Sequence, residues 1–527
     1  MRLLRPIFLL SSLFWQPVLL ADESEVKPED IQFRRQAVTR LIFDASHRIP
    51  LSSLRPAKVI DLDLMHPELL SASALRWDFQ DGCLKGITPQ QSTSSLRWVG
   101  GFNPFATYDL EIQQASGDGT IALTFQHSSQ GDSLTAGLQF KDGKPVTLTW
   151  NILSAGVAVP EQSWPVPAGT SLKGLTLRAQ MSAVGVNLFL ESHGKSTLIG
   201  FSDFSKHFDL RERKRIQQMD FAIKTELKAD AQIMIAQASS YLSPGSGQAD
   251  IRAMTDEEGT PLLDDGRLWM TMTLRGRALP HPLQGVFSFN PSVFDLRFEG
   301  VIVFDMGDGL FRNELASHLF RDSKTGEWRG WTTGFSALGE TGKSEEKTIL
   351  AVSSARDPRK GFSIMKARPI GITGAHEDPH CIYDKEAGKW RLLLCEHGKK
   401  YRAGMWESDH WDRGFTRLAG PIEMDSTGTM IQKIGTKRYA LFGSADRKIY
   451  IRSYPDLGPA GELQISLPPW NEANGSRIWP NVIPLPEGYP APYIALMMDR
   501  VNFPGMPKPN WTYGALYLYH GHVVKKE

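Results

Sequence analysis

The feature that most constrains this chain is an internal repeat in its C-terminal half. The segment 322–329, Asp-Ser-Lys-Thr-Gly-Glu-Trp-Arg, recurs at 384–391 as Asp-Lys-Glu-Ala-Gly-Lys-Trp-Arg with the same spacings. Shorter relatives stand at 264–269, Asp-Asp-Gly-Arg-Leu-Trp, and at 434–439, Ile-Gly-Thr-Lys-Arg-Tyr. Because an apolar run adjoins each copy, each is predicted to be the turn of a β-hairpin. Such repetition indicates stacked units that bury their hydrophobic faces against one another.

A second repeat supports the first and sets its interval. The segment 357–363, Asp-Pro-Arg-Lys-Gly-Phe-Ser, recurs at 411–416 as Trp-Asp-Arg-Gly-Phe-Thr, and the repeats are spaced by roughly 50–60 residues. Residues 249–527 therefore accommodate five four-stranded units. A single small sheet cannot cover both of its faces, whereas sheets stacked around an axis do so. The sequence thus predicts a five-bladed β-propeller over residues 249–527.

The region 55–245 is predicted to be a second all-β domain. Short alternating runs such as 119–125, 133–140 and 186–192 are separated by turn signals about every ten residues. In its pattern, although not in any motif, this region resembles concanavalin-A-like and laminin-G-like jelly-roll β-sandwiches. The fold class is therefore all-β, with an N-terminal jelly-roll β-sandwich followed by the propeller.

The N-terminal residues follow a different pattern, with basic, apolar and acidic residues in succession. Arg2 and Arg5 precede the apolar run 6–21, and acidic residues begin at Asp22. This pattern predicts a secretory signal peptide over residues 1–21, with an uncleaved anchor as the alternative. We expect a secreted or periplasmic protein with no membrane span after signal cleavage. In the following N-terminal segment, 22–54, residues 31–43 are predicted to form one amphipathic helix.

Charge and cysteine usage exclude several classes of protein. The formal net charge is +1, so no broad attraction to nucleic acid is expected. The three cysteines, Cys83, Cys381 and Cys395, are too few for a disulfide-built scaffold. Cys381 and Cys395 can pair across a hairpin or remain reduced, and the sequence leaves both open. No cofactor is predicted with certainty, and a structural calcium ion in the channel would have no sequence signature here.

Candidate site residues come from the start of each innermost strand, because those strands converge on the axis of a propeller. The acidic, histidine, arginine and tryptophan side chains in these positions are candidates for catalysis or ligand binding. They are Asp256, Glu258, Glu314, His318, His376, Glu377, Asp378, His380, Asp425, Arg477 and Trp479.

The motif Asp378-Pro379-His380, with the turn and Trp390 that follow, resembles the blade start of five-bladed glycoside hydrolases of families 43 and 32. The segment 406–415 also resembles an outer strand of those enzymes. The resemblance covers about 249–527. It implies a catalytic acidic residue in blade I, a pKa-tuning aspartate in blade III and a glutamate general acid in blade IV.

When these three roles are assigned to residues of this sequence, alternatives remain for blades I and IV. Asp378 matches the blade III aspartate. An ungapped alignment of 255–268 on 377–390 places Asp256 in the blade I role, and a short gap favours Glu258. Blade IV has Ser-Thr-Gly-Thr at 426–429 where the family has Glu-Gly-Pro or Glu-Cys-Pro. Asp425 is a catalytic candidate there, with Glu423 as near, and Glu377 or Glu314 can supply the acid instead.

The resemblance implies a hydrolase that cleaves glycosidic bonds of a plant or algal polysaccharide. One protonated carboxyl group would meet the leaving oxygen, while a carboxylate activates water or attacks carbon. The remaining candidates, such as His376, Arg477 and Trp479, would bind the oligo- or polysaccharide. The main alternative is a non-catalytic glycan-binding propeller, which the absent blade IV glutamate favours. A phosphorylase on the same scaffold is a further alternative.

Overall fold

The computed structural model describes residues 26–51, 76–88, 91–127, 129, 131–274, 282–335, 348–468, 478–500 and 513–524. Within these residues, short strands dominate. One α-helix, α1, spans Arg213–Ile216, and 3-10 helices span Pro28–Asp30 and Ala45–His47. No helix among these residues has the length and apolar character needed to cross a membrane.

The first sixteen strands lie in the N-terminal half. They are β1 (Ile31–Arg40), β2 (Ile49–Pro50), β3 (Arg76–Gln80), β4 (Cys83–Ile87), β5 (Thr93–Gly101), β6 (Thr107–Ser116), β7 (Gly119–His127), β8 (Ser133–Lys141), β9 (Lys144–Ser154), β10 (Val157–Ala158), β11 (Gln162–Pro165), β12 (Leu175–Met181), β13 (Gly185–Ser192), β14 (Lys195–Asp203), β15 (Met219–Leu227) and β16 (Gln232–Leu242).

The other strands lie in the C-terminal half. They are β17 (Gln248–Ala253), β18 (Thr255–Asp256), β19 (Leu263–Asp264), β20 (Arg267–Leu274), β21 (Leu283–Asn290), β22 (Asp295–Asp305), β23 (Phe311–Arg312), β24 (Leu315–Arg321), β25 (Trp328–Gly334), β26 (Thr348–Ser354), β27 (Gly361–Pro369), β28 (His376–Asp384), β29 (Lys389–His397), β30 (Tyr401–Ser408), β31 (Thr416–Ala419), β32 (Thr427–Ile434), β33 (Lys437–Gly443), β34 (Ile449–Ser453), β35 (Pro459–Glu462), β36 (Val482–Pro484), β37 (Tyr493–Arg500) and β38 (Tyr513–Val523).

Two antiparallel sheets form the N-terminal sandwich. One has the order β10-β9-β8-β7-β15-β5, and the other has the order β14-β13-β12-β6-β16-β4-β3. Alternating side chains of β7, namely Ile121, Leu123 and Phe125, are fully buried, as are Leu110 and Ile112 of β6. Because side chains of a strand alternate between its faces, one face of each sheet supplies the core.

Apart from the sandwich, the described residues form five sets of four antiparallel strands, which we call blades I to V. Blade I is β17-β20-β21-β22, blade II is β24-β25-β26-β27, blade III is β28-β29-β30-β31 and blade IV is β32-β33-β34-β35. Blade V is β36-β37-β38-β1. The predicted all-β fold, a sandwich followed by a propeller, is confirmed. The repeated Asp-to-Trp segments lie at the turns between β24 and β25 and between β28 and β29.

The outer strand of blade V comes from the other end of the chain. Strand β1 pairs antiparallel with β38, from Ile31 opposite Val523 to Arg40 opposite Ala515. The predicted helix over 31–43 is therefore wrong. Ile31 and Phe33 are buried while Gln32 is exposed, which is the period of a strand with one covered face. Pairing with β38 determines that this segment is a strand, because β38 would otherwise present an unpaired edge.

Blades I and II are joined along their outer strands through closely approaching glycines. Gly300 of β22 lies opposite Gly361 of β27 in a parallel ladder. A Cβ atom at residue 300 would overlap the carbonyl oxygen of Gly361. Because backbone cannot move aside as a side-chain end can, we expect this contact to tolerate glycine alone.

We therefore predict that Gly300→Ala lowers the free energy of unfolding by about 2–3 kcal/mol, as overpacking does in a close-packed region. Urea unfolding of the full chain measures this change. The matched control is Gly398→Ala, since a Cβ there would lie 3.7 Å from its nearest neighbour, the Lys400 oxygen. Equal stability of Gly300→Ala and wild type would show that the two strands can separate without cost.

Candidate active site

The innermost strands of blades I to IV carry the same irregularity at the same place. In each, the pairing register with the second strand shifts across two residues: Asp250 and Ile251, Ala316 and Ser317, Asp378 and Pro379, and Gly428 and Thr429. The first residue of each pair has a positive φ, and the values are 52° for Asp250, 54° for Ala316, 59° for Asp378 and 61° for Gly428. Such bulges re-aim a side chain. The carboxylates of blades I and III, on Asp250 and Asp378, therefore occupy equivalent positions.

The carboxyl group of Asp378 is buried and held through one oxygen. Its Oδ2 accepts hydrogen bonds from Gly428 N at 2.9 Å and from Thr427 Oγ1 at 3.1 Å. The Sγ of Cys395 donates to the same oxygen at 3.5 Å. Blade IV therefore contributes two of the three donors to a carboxyl group that belongs to blade III.

Three other blades hold the backbone of Asp378 in its left-handed conformation. Its N–H donates to Thr333 Oγ1 of blade II at 3.0 Å. Its carbonyl oxygen accepts from Thr429 Oγ1 of blade IV at 2.7 Å and from Arg252 Nη2 of blade I at 3.0 Å. A non-glycine residue with positive φ is strained, so these bonds offset a local cost.

The surroundings of Asp378 favour its protonated form. Its pKa is raised to about 7, first by burial, then by the negative charges of Glu377 and Asp250. The Arg252 charge and the Gly428 N–H oppose that shift. A carboxyl group in this condition is able to hold and release a proton near neutral pH.

This raised pKa predicts a pH dependence of stability. An aspartate in the unfolded chain has a pKa of about 3.9, so the folded protein binds the Asp378 proton more tightly. The free energy of unfolding is then expected to fall as pH rises from about 4 to about 7, by at most about 4 kcal/mol. Asp378→Asn should flatten this part of the curve in urea unfolding at a series of pH values. An unchanged slope would show that Asp378 ionises normally.

Arg252, which bonds the Asp378 carbonyl oxygen, also packs against Trp479. The Arg252 guanidinium is fully buried and stands 4.6 Å from the centre of the Trp479 ring. Its Nε and Nη1 have no hydrogen-bond partner among the described residues. Burial lowers the pKa of Arg252 to about 10, although the charges of Asp378 and Asp250 oppose this shift, so it remains a cation near neutral pH. Trp479 donates through Nε1 to Ile251 O at 2.7 Å and packs on Gly428, where a Cβ would meet the ring at 2.8 Å.

His318 of blade II and His380 of blade III, both predicted site residues, form a stacked pair. The rings of His318 and His380 lie 4.0 Å apart at an interplanar angle of 9°. His318 contacts Thr255 Oγ1 through Nε2 at 3.1 Å and accepts from Cys381 N at 3.3 Å. Burial and the Arg252 charge lower the pKa of His318 to about 3, and burial also lowers that of His380. Both rings are therefore neutral. His318 and His380 are each the first paired residue after the bulge of their strand, which is the position that Arg252 has in blade I.

Three more predicted residues lie at the start of an innermost strand or directly before it. Glu314 is fully buried and accepts from Phe335 N through Oε2 at 2.5 Å. Glu377 is buried directly before Asp378, and its charge acts on that carboxyl group. His376 is buried, and its Nδ1 lies 2.8 Å from Gly374 O.

Asp256 and Glu258 lie away from the bulges of the innermost strands. They lie in an excursion, residues 255–261, that leaves the first strand of blade I and returns at Leu262, whose N–H donates to Met254 O. Asp256 pairs with Arg321, five residues beyond Ala316 on β24, which is about 16 Å along a strand. The Oδ1 of Asp256 accepts from Glu258 N at 2.9 Å and Thr260 N at 2.8 Å, as a turn residue does. The structure therefore does not bring Asp256 to Asp378.

The same correction applies to Glu258, which pairs with Lys385 in the turn of blade III. The ungapped alignment failed because it counted the excursion as part of the strand. In blade IV, Asp425 lies outside β32, and its Oδ2 accepts from Ala445 N at 2.8 Å. Arg477 lies outside the described residues.

Sequence reasoning missed Asp250, Arg252 and Thr427. The two turn signals in 255–266 were the available clue, since Gly259 and Gly266 each have a positive φ and close separate turns. Treating the first turn as an insertion would have aligned Asp250 with Asp378. Thr427 holds the ladder position that Glu377 holds in blade III, and only the pairing registers show this.

The cysteines of the described residues form no disulfide. Cys83, Cys381 and Cys395 are free and buried, and Cys395 lies opposite Glu377 while Cys381 lies opposite Leu392. In the described part of the chain, no group of three or more His, Cys, Asp or Glu side chains could hold a metal ion.

The chain matches no protein-family model and none of the curated proteins. Among solved structures, the carbohydrate-binding module CBM66 from Bacillus subtilis aligns with 34% of this chain and 98% of its own, at 14% identity and a TM-score of 0.23. A thermostable family-43 glycoside hydrolase aligns with 54% of this chain and 91% of its own, at 13% identity and a TM-score of 0.35. The levansucrase of Bacillus subtilis aligns with 53% of this chain and 86% of its own, at 13% identity and a TM-score of 0.36. At these scores the similarities carry no argument about the reaction or its substrate.

Proposed function

We propose that this protein is a secreted glycoside hydrolase-like protein that cleaves glycosidic bonds of a plant or algal polysaccharide. The observation that carries the proposal is the placement of Asp250 and Asp378 at the same bulge of two innermost strands. Both are buried, and their charges interact. Glycoside cleavage requires one protonated carboxyl group and one carboxylate within a single site.

The role of Asp378 follows from its raised pKa. Asp378, with a pKa of about 7, is the group that delivers a proton to the leaving oxygen. Asp250, whose charge contributes to that raised pKa, is the carboxylate that attacks carbon or activates water. Arg252 remains cationic and stabilises the ionised form of Asp378.

A non-catalytic glycan-binding propeller is the second candidate. It is favoured by blade IV, where Thr427 and Gly428 supply no carboxylate and Trp479 packs on Gly428. The buried Asp378 would then serve the architecture of the blades alone, through Gly428 and Thr427.

The experiment that separates these candidates is an assay of the purified protein on polysaccharides and aryl glycosides, beside a binding measurement on the same glycans. Sugar release with turnover supports the hydrolase. Binding of a glycan without any release from it supports the binding propeller and contradicts the hydrolase. The N-terminal sequence of the protein recovered from the medium or periplasm tests the predicted signal peptide.

A further inference from the structure

We propose that Thr427 is a positioning residue for Asp378: with the Gly428 amide it holds Oδ2 of the carboxyl group, so that Oδ1 carries the proton and meets the ligand. The role toward a ligand rests on the proposed function. The hydrogen bonding itself does not, because it is a property of the folded chain.

A comparison of the blades shows how this arrangement arises. In blades I and II a threonine of the second strand accepts the bulge N–H of the next blade. Thr273 accepts from Ala316 N at 3.1 Å, and Thr333 accepts from Asp378 N at 3.0 Å. The corresponding position in blade III is Cys395, which pairs with Glu377 as Thr333 pairs with Leu315. Sulfur is a weak acceptor, so the bulge N–H of blade IV needs another partner.

Asp378 supplies that partner. Gly428 N donates to Oδ2 at 2.9 Å, and Thr427 Oγ1 donates to the same atom at 3.1 Å. Among the residues that the structure describes, Oδ1 accepts no hydrogen bond. The carboxyl group is thus fixed at one oxygen by blade IV and left available at the other.

The charged and titratable groups that act on Asp378 come from blades I and III. They are Asp250 and Arg252 on β17, Glu377 on β28 and the thiol of Cys395 on β29. Of these, the thiol alone bonds Oδ2. The hydroxyl of Thr427 is therefore a donor whose removal leaves every one of these charges in place.

Thr427→Val tests the assignment because valine keeps the shape and removes the donor. A hydrogen bond to a carboxylate favours the ionised form, so we expect the titration midpoint of Asp378 to rise by about one pH unit. The midpoint is read from the pH dependence of the free energy of unfolding, with each variant compared with the same variant carrying Asp378→Asn. Thr427→Ser should restore the midpoint to within a few tenths of a pH unit of wild type.

Thr333→Val is the matched control, since Thr333 accepts from the Asp378 backbone N–H and not from the carboxyl group. It should lower stability and leave the midpoint in place. If Thr427→Val does not fold, Thr427→Ala with the same serine comparison takes its place. An unchanged midpoint, or an equal shift in Thr427→Ser or Thr333→Val, overturns the assignment. The measurement involves no sugar, so an inactive wild type that shows the shift would contradict the proposed function alone.

Discussion

Asp378→Asn and Asp250→Asn are each expected to reduce sugar release by about a thousandfold, the effect of removing a positioned acid or base. Asparagine keeps the shape of each side chain, and its oxygen can still accept the Gly428 N–H at residue 378. It cannot donate a proton to a leaving oxygen or act as a base. Initial rates on the most reactive polysaccharide and on an aryl glycoside measure the effect, with urea unfolding as the check on folding.

The control for these variants is Asp256→Asn. Asp256 was a catalytic candidate from the sequence, and the structure places it in the turn at the hairpin end of blade I. Asparagine caps such turns as aspartate does, so activity within about twofold of wild type is expected. Loss of activity in Asp256→Asn with full activity in Asp250→Asn would restore the ungapped alignment and contradict the catalytic role of Asp250.

Phe33→Ala is expected to lower the free energy of unfolding by about 3–5 kcal/mol, as the loss of a buried phenylalanine does. Phe33 is 3% exposed and packs in the core of blades IV and V, although it lies near the opposite end of the chain from β38. A Cβ at Gly521 would meet its ring at 2.7 Å, which shows how closely the two strands pack. Urea unfolding of the full chain measures the change.

Gln32→Ala is the matched control for Phe33→Ala. It lies on the same strand with its side chain exposed, so a change of no more than about 0.5 kcal/mol is expected. Equal stabilities of Phe33→Ala and Gln32→Ala would mean that the packing of β1 in blade V does not stabilise the fold.

The features of the fold that could be predicted depend on residues that are close together in the sequence. The repeated turns near Gly326 and Gly388 and the alternating runs depend on local backbone preferences, and the all-β fold follows from them. Asp378 was a candidate because Asp-Pro marks the start of an innermost strand. The neighbouring His380 was a candidate on the same reasoning, and so was His318 in blade II, and the structure stacks their two rings.

The errors have a common cause, which is pairing between residues far apart in sequence. Residues 31–40 have a mixed pattern that fits a helix or a strand, and only β38 decides between them. Asp250 and Asp256 both precede an apolar strand, and only the ladder with β20 shows which one stands at the bulge. The Ser-Thr-Gly-Thr segment of blade IV was visible in the sequence, but the bonding of Thr427 to Asp378 was not.

The sequence by itself determined that this protein is built from short strands and repeated hairpins, because turn residues and alternation act over a few neighbours. The tertiary structure decided which side chains meet at the centre. Blade V is completed by β1, and Asp378 is held by residues of blades I, II and IV. These contacts join strands that are distant along the chain, and their geometry depends on bulges and registers that no local pattern encodes.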